Sequence, residues 1–237
     1  MAPVAGRLAR LRRVLIPDGF VPGLIFILFG APIMAFGLYL TMRTTWGVGP
    51  WDVLHIGLAR QTGISVGRAH QLTGLTLVLS TLLLGGRTVT LVTLLNATLI
   101  GFWLDLYLGW NPVPVLSGWA GIVYVVLGVA VLGFGIALYL HPGLGAGPRD
   151  GLMLTLAQRT GQPLYRVKMG MDITAMATGL LLGGPVGLGT LVFALWLGPT
   201  IHVFREVLRT IEAKVKARTR LAGAEPQAVS HEGRRSQ

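Results

Sequence analysis

The stretch GVGPWD, Gly47 to Asp52, constrains this chain more than any other, because it occurs twice. It returns as GAGPRD, Gly145 to Asp150, 98 positions later. Laid over each other without a gap, 23–86 and 121–184 match at about a third of positions, the mark of a duplicated unit. Gly30, Gly37, Pro50, Asp52, Leu58, Gly63 and Arg68 recur as Gly128, Gly135, Pro148, Asp150, Leu156, Gly161 and Arg166. LLLGG, Leu82 to Gly86, returns as Leu180 to Gly184. One deletion later Thr93, Ala97 and Gly101 face Thr190, Ala194 and Gly198. Any fold for this chain must therefore build the same unit twice.

Composition sets the solvent of that unit. Of 237 residues, 52% are hydrophobic and 12% charged, against about 25% charged in a soluble domain. Mean hydropathy is +0.66. These values, with long uncharged runs, place the chain in the membrane class. With no cysteine, disulfides, thiolate metal sites and cysteine nucleophiles are excluded. The five histidines are scattered without H-E-x-x-H, so a zinc hydrolase is unsupported; no metal and no cofactor is expected. The net charge of +11 is explained by loops and ends that favour one face of a membrane, not by nucleic acid.

The spans follow in order. Residues 1–19 form a basic cytoplasmic tail, and Phe20 to Thr41 a first spanning helix with Pro32 inside it. A cleaved signal peptide is rejected, because the apolar run is too long and its equivalent, 118–140, is internal. Trp51 to Arg60 reads as a short helix, with Gly49 as N-cap, Pro50 at the first position, Asp52 in the first turn and Gly63 as the stop. At 1.5 Å per residue it cannot cross a bilayer. Leu72–Leu84 with its flanks and 88–108 are the second and third spans. Asn111, Pro112, Pro114 and Ser117 then make a turn. The second copy repeats the order: a span at 118–140, a short helix at about 149–160, and spans at about 165–183 and 187–206. The membrane repeats thus cover 20–110 and 118–208. A basic tail, 209–237, continues the last helix and reads as disordered from about Gly223.

The fold class is an all-α membrane protein: six transmembrane helices as two inverted three-helix repeats, each with a short Gly/Pro-initiated non-spanning helix. With the N-terminus inside, Arg7, Arg10, Arg12, Arg13, Arg87, Arg149, Arg159, Arg166, Lys168 and the basic residues from Arg205 onward fall on the inner face. Only Arg43, Arg60 and Arg68 fall outside. Three spans per copy reverse the second copy, which sets the first motif toward the outer face and the second toward the inner one. Many secondary transporters share that plan.

The element G-x-G-P-x-D, the short helix ending in T-G, the basic residue five positions later (Arg68, Arg166) and the following L-L-L-G-G resemble the bacterial YczE/YyaS/YitT family of integral membrane proteins. The resemblance covers about 20–208. It implies a multi-pass protein of the bacterial cytoplasmic membrane and adds no molecular activity. The copies diverge where Trp51 and His55 become Arg149 and Met153, so a role for either residue is not symmetric.

Asp52 and Asp150 are the leading candidate site residues. They are either ion or proton sites near the membrane or first-turn acids that stabilise a short helix, pairing with Arg68 and Arg166. Gly47, Gly49, Gly145 and Gly147 permit a tight turn before Pro50 and Pro148, or free backbone N–H groups for an anionic substrate. Arg68 and Arg166 read as interfacial anchors, salt-bridge partners or an anion clamp. Asp172 lies inside the fifth span with Lys168 as its i−4 partner. Asn96 reads as helix–helix glue, and Gly179 with Gly183 as a close-packing pair. Asp105 and its counterpart His202 read as interfacial. An intramembrane aspartyl protease is set aside: G-x-G-D spacing differs by two residues, and acids on opposite faces cannot share a proton. The chain is expected not to be an enzyme. A small permease of a small-molecule or ion substrate is the first functional reading, and a non-transporting membrane scaffold the second. The bilayer is the expected partner, with a homodimer admitted.

Overall fold

The computed structural model describes residues 20–86, 88–141 and 147–232, with side chains from 24 to 215 within those ranges. The N-terminal tail, Arg87 and Gly145 lie outside the described residues. Among the described residues eight α-helices follow in order: α1 Phe20–Met42, α2 Pro50–Thr62, α3 Val66–Leu83, α4 Leu91–Trp110, α5 Gly121–Leu140, α6 Pro148–Thr160, α7 Leu164–Leu181 and α8 Leu188–Glu232. Among the described residues no strand forms; the sole bridge pairs Thr44 with Leu116.

Helix ends follow the local chemistry of the sequence. Gly49 and Gly147 are extended N-caps whose carbonyls accept the first helical bonds, from the N–H groups of Val53 and Gly151. Proline follows each, where its missing N–H costs nothing. Gly63 and Gly161 close α2 and α6 in the left-handed conformation, as C′ glycines do. Both short helices have 13 residues, or about 20 Å, well short of a bilayer core. Thr90 and Thr93 form a capping box at the start of α4.

Among the described residues, four segments are long and apolar enough to cross a membrane: Leu24–Met42, Leu91–Trp110, Gly118–Leu140 and Leu188–Val215. α3 and α7, each of 18 residues, fall below that level because they carry Arg68, His70 and Gln71, and Arg166, Lys168 and Asp172. α8 runs on without a break to Glu232. The stretch beyond Gly223, expected to be disordered, is thus helical to Glu232, although it contains Gly223 and Pro226.

The core is the crossing of α1 on α5, flanked by α4 on α1 and by α8 on α5. Ile27, Ala31, Tyr39, Leu104, Val129 and Leu132 are buried there. Glycines let the two backbones meet. A Cβ on Gly30 would touch the Gly135 carbonyl at 3.3 Å, and one on Gly37 the Gly128 carbonyl at 2.7 Å. These are equivalent pairs under the 98-residue shift. The short helices cross over in the same reciprocal way, with α2 on α7 and α6 on α3. Gly179 packs on the Val53–Leu54 backbone as the sequence suggests, whereas Gly183 (φ 85°) has nothing within 4 Å of a Cβ and instead ends its helix.

Candidate functional site

The N-termini of α2 and α6 open onto one cavity of about 470 Å³. Pro50, Trp51 and Asp52 line it from the first copy, and Gly147, Pro148, Arg149 and Asp150 from the second. Its volume falls within the roughly 300–1,000 Å³ typical of small-molecule sites. Much of its wall is apolar, from α1, α4, α5 and α8.

Three polar groupings meet there. Asp52 and His55, 3% and 2% exposed, lie 3.3 Å apart through Oδ1 and Nδ1. The His55 and His70 rings follow at 4.8 Å. Trp51 Nε1–H donates to Asp172 Oδ1 at 2.7 Å, and Lys168 Nζ donates to Asp172 Oδ2 at 2.6 Å. The Arg149 guanidinium lies over the Trp51 ring at 4.4 Å, within the range of a cation–π contact. Trp51 and Arg149 are equivalent positions of the two copies, so the repeated motifs stack upon each other.

Asp150 has a different setting from Asp52. Burial pushes its carboxyl up from the ordinary carboxylate range, while Arg149 and Lys168 pull the other way. A Cβ on Gly147 would lie 3.7 Å from Asp150 Oδ2, 3.8 Å from the Tyr139 hydroxyl and 4.0 Å from Asn96 Oδ1. A Cβ on Gly49, the counterpart of Gly147, would strike the Phe193 ring at 2.7 Å. Asn96 and Phe193 are themselves counterparts, so one corner of the cavity is polar and its twin is apolar. Asn96 Nδ2 and His70 Nδ1 are buried, and among the described residues neither has a hydrogen-bond partner. For a buried polar atom that is unusual.

Six of the site residues expected from the sequence therefore converge on the cavity: Pro50, Asp52, Gly147, Pro148, Asp150 and Asp172. The expected Lys168–Asp172 pair forms. Gly47 and Gly49 pack on α8 instead. Gly47, at φ 95°, approaches Gly187 and Thr190 too closely for a side chain. The Arg68 and Arg166 pairings with the acids do not form. Asp52 takes His55; Arg68 is exposed beside Ser65 and Asp105, and Arg166 turns to Gln162 and Tyr165. Each arginine sits in the first turn of its own helix, two residues before a cavity residue (His70, Lys168), and is exposed. Asp105, read as interfacial, caps α3: it accepts from Ser65 Oγ and, at 2.7 Å, from the Gly67 N–H. Sequence reasoning missed His70, Arg149 and Tyr139 as cavity residues and read Asn96 only as glue. The available signal was the divergence inside the repeated motif, where Trp51 faces Arg149.

Among the described residues no group of three metal-ligating side chains forms. Large apolar side chains such as Phe29, Leu83, Leu181 and Leu195 point outward, which suits lipid and not water. Apolar helices with large side chains facing outward define an integral membrane protein. Residues 21–206 match the model described as "Family of unknown function (DUF6198)". The chain belongs to that family, a YczE/YyaS-type group. It is 34% identical over 205 residues to "Uncharacterized membrane protein YczE" of Bacillus subtilis, covering 85% of this chain and 94% of that one. It is 35% identical to an "Uncharacterized protein" of Haemophilus influenzae, covering 77% and 83%. "Uncharacterized protein YyaS" of Bacillus subtilis is 25% identical, covering 76% and 90%. No solved structure matches the chain significantly.

Proposed function

We propose that the chain is a small secondary permease of the cytoplasmic membrane, with six spans in two inverted repeats and both termini cytoplasmic. The observation that carries this reading is the single cavity at which both half-length helices begin. Paired short helices whose N-termini face a shared site at mid-depth are a transporter plan.

The reciprocal contacts support the inversion, since a two-fold relation between the copies generates them in pairs. The contacts near the helix ends support the topology. Arg60 and Gln61 donate to the Gly183 and Leu182 carbonyls, and Leu116 N–H donates to the Arg43 carbonyl. All of these fall on the proposed outer face. His141 pairs with Glu212 at 3.2 Å, and Arg159 approaches Gly85, both on the proposed inner face. α3 and α7 complete the six spans. At 18 residues, or about 27 Å, they nearly match the hydrocarbon core, and their polar residues are those expected near a helix end or a cavity. A proton or ion pathway and a bound solute account for the cavity without any catalytic constellation, so no enzyme activity is proposed.

Exposed, equivalent positions test the architecture. Thr62 and Thr160 end the two short helices and are both exposed. With no native cysteine, Thr62→Cys and Thr160→Cys each give a single thiol. An impermeant maleimide should label Thr62→Cys only in intact cells and Thr160→Cys only in inverted vesicles. Labelling of both from one face removes the inversion and the permease reading with it. Given that topology, Asp52→Asn and Asp150→Asn should each abolish solute flux in folded protein.

A second reading, a membrane scaffold, draws on α8. Val203, Val207, Ile211 and Val215 form an exposed apolar stripe at i, i+4 spacing, suited to a partner helix. Under this reading, deleting 221–237 abolishes the cellular role and the purified protein binds no small solute.

A further inference from the structure

Five charged side chains line the cavity: Asp52, Arg149, Asp150, Lys168 and Asp172. Three of them have partners of their own. Asp172 and Lys168 hold each other, and Asp52 holds His55. Arg149 and Asp150 stand apart. Among the described residues no group hydrogen-bonds or ion-pairs with either one. The contact of Arg149 with Trp51 occupies a face of the guanidinium and leaves its N–H edge free for a bidentate acceptor.

A third unmatched group lies beside them. Asn96 is 5% exposed, and its Nδ2 has no partner among the described residues. The Gly147 corner brings the Asn96 and Asp150 side chains together, with Asp150 Oδ2 and Asn96 Oδ1 within 4.0 Å of the same point and the Nδ2 donor on the same amide group. Gly147 caps α6, whose positive end therefore faces this corner. The cavity thus offers one unpaired carboxylate, one unpaired guanidinium and one unpaired amide donor, next to walls of Leu38, Ile100, Leu132, Ile136, Met153 and Met171.

Charge balance decides what such a site takes. Arg149 and Asp150 balance one another's charge without bonding, so a bound anion would engage Arg149 and set a second negative charge beside Asp150. A bound cation would do the reverse. A charge left buried without a partner is strongly disfavoured, so either singly charged ligand is selected against. A molecule carrying both charges answers both.

We infer that the cavity binds a small zwitterion with an apolar side chain, of the chemical class of a free aliphatic amino acid. Its ammonium sits on the Asp150 carboxylate. Its carboxylate takes the N–H edge of Arg149 and the Asn96 amide, near the N-terminus of α6. Its side chain lies against the Leu, Ile and Met wall. This inference names the substrate class of the permease reading and rests on it for its purpose.

Binding to the purified full chain in detergent tests it without any flux assay. The probes are L-leucine, 3-methylbutylamine, which lacks its carboxylate, and 4-methylpentanoate, which lacks its amine. Calorimetric titration should find leucine bound at least about tenfold more tightly than either analogue, the scale of one charge-assisted contact. Asp150→Asn should reduce leucine to the affinity of 4-methylpentanoate, and Arg149→Gln to that of the amine. A purely structural role for these residues would weaken all three probes together. An analogue that matches leucine overturns the inference, as does failure of all three to bind or to raise the melting temperature. The wild-type comparison needs no variant to fold. If leucine binds while Thr62→Cys and Thr160→Cys label from one face, the site stands and the permease falls; the opposite pair of results does the reverse.

Discussion

The α3–α4 seam and the α7–α8 seam occupy equivalent places in the two copies, yet only the first is closed. α3 and α4 pack along their length, whereas α7 and α8 make little contact, and among the helices α8 leans chiefly on α5. In the closed seam Gly67 and Gly101 lie so close that a Cβ on either would collide with the carbonyl of the other. Asp105 ties the start of α3 to the end of α4, and Gln71 Nε2 donates to the Thr98 carbonyl at 2.9 Å. The second copy carries Pro163, Tyr165, Met169, Leu195 and His202 where the first has Ser65, Gly67, Gln71, Thr98 and Asp105. Only Gly198 keeps its identity with Gly101, and nothing lies within 4 Å of its would-be Cβ. Duplication supplied both seams with the same helices. A few small and polar side chains, present in one copy and lost in the other, then determined which seam could close.

That contrast can be broken by substitution. The largest effect is expected at Gly67. Gly67→Leu forces α3 away from the Gly101 carbonyl, and overpacking of this kind costs about 1–3 kcal/mol or more. Thermal melts followed by size-exclusion fluorescence should show a large loss of folded protein. Gly198→Leu, at the open seam, should melt like the parent. Equal damage from both would mean that α7 and α8 close on each other in the membrane.

Asp105→Ala should come next, at about 1–2 kcal/mol, since it removes the acceptor for two groups at the start of α3. Its counterpart, His202→Ala, is exposed and should stay within about 0.5 kcal/mol. Hydrogen exchange confined to the first turn of α3 would locate the first effect.

The smallest expected effect sharpens the difference between the two acids. Asp150 has its carboxyl raised by burial. A group whose folded value lies above its unfolded one adds stability below the unfolded value and loses it as pH rises through the folded one. The unliganded protein should therefore soften slightly as pH climbs above the ordinary carboxylate range, and Asp150→Asn should flatten that slope. Leucine should counter the softening, because its ammonium favours the ionised carboxyl. A slope unchanged in Asp150→Asn would assign it to another group.

Much of the frame was legible in the chain. The helix starts at Pro50 and Pro148 and the stops at Gly63 and Gly161 were readable, because capping depends on residues a few positions apart. The Lys168–Asp172 pair was readable for the same reason, as i and i+4 share a helix face. The Asp–Arg pairs failed because no spacing rule tells which way a side chain at the start of a neighbouring helix turns.

What the sequence by itself determined is a duplicated, helical, lipid-facing unit with a half-length helix in each copy. Periodicity, hydropathy and caps encode those features locally. Tertiary structure alone decided that Trp51 lies on Arg149 and bonds Asp172, 121 positions away, and that Asn96 joins Asp150 at the Gly147 corner. It also decided that one seam closed and its twin stayed open. A repeat shows which residues are equivalent but not which of them touch. Contact depends on how α1 crosses α5, and that crossing is set by packing at glycine pairs about a hundred residues apart.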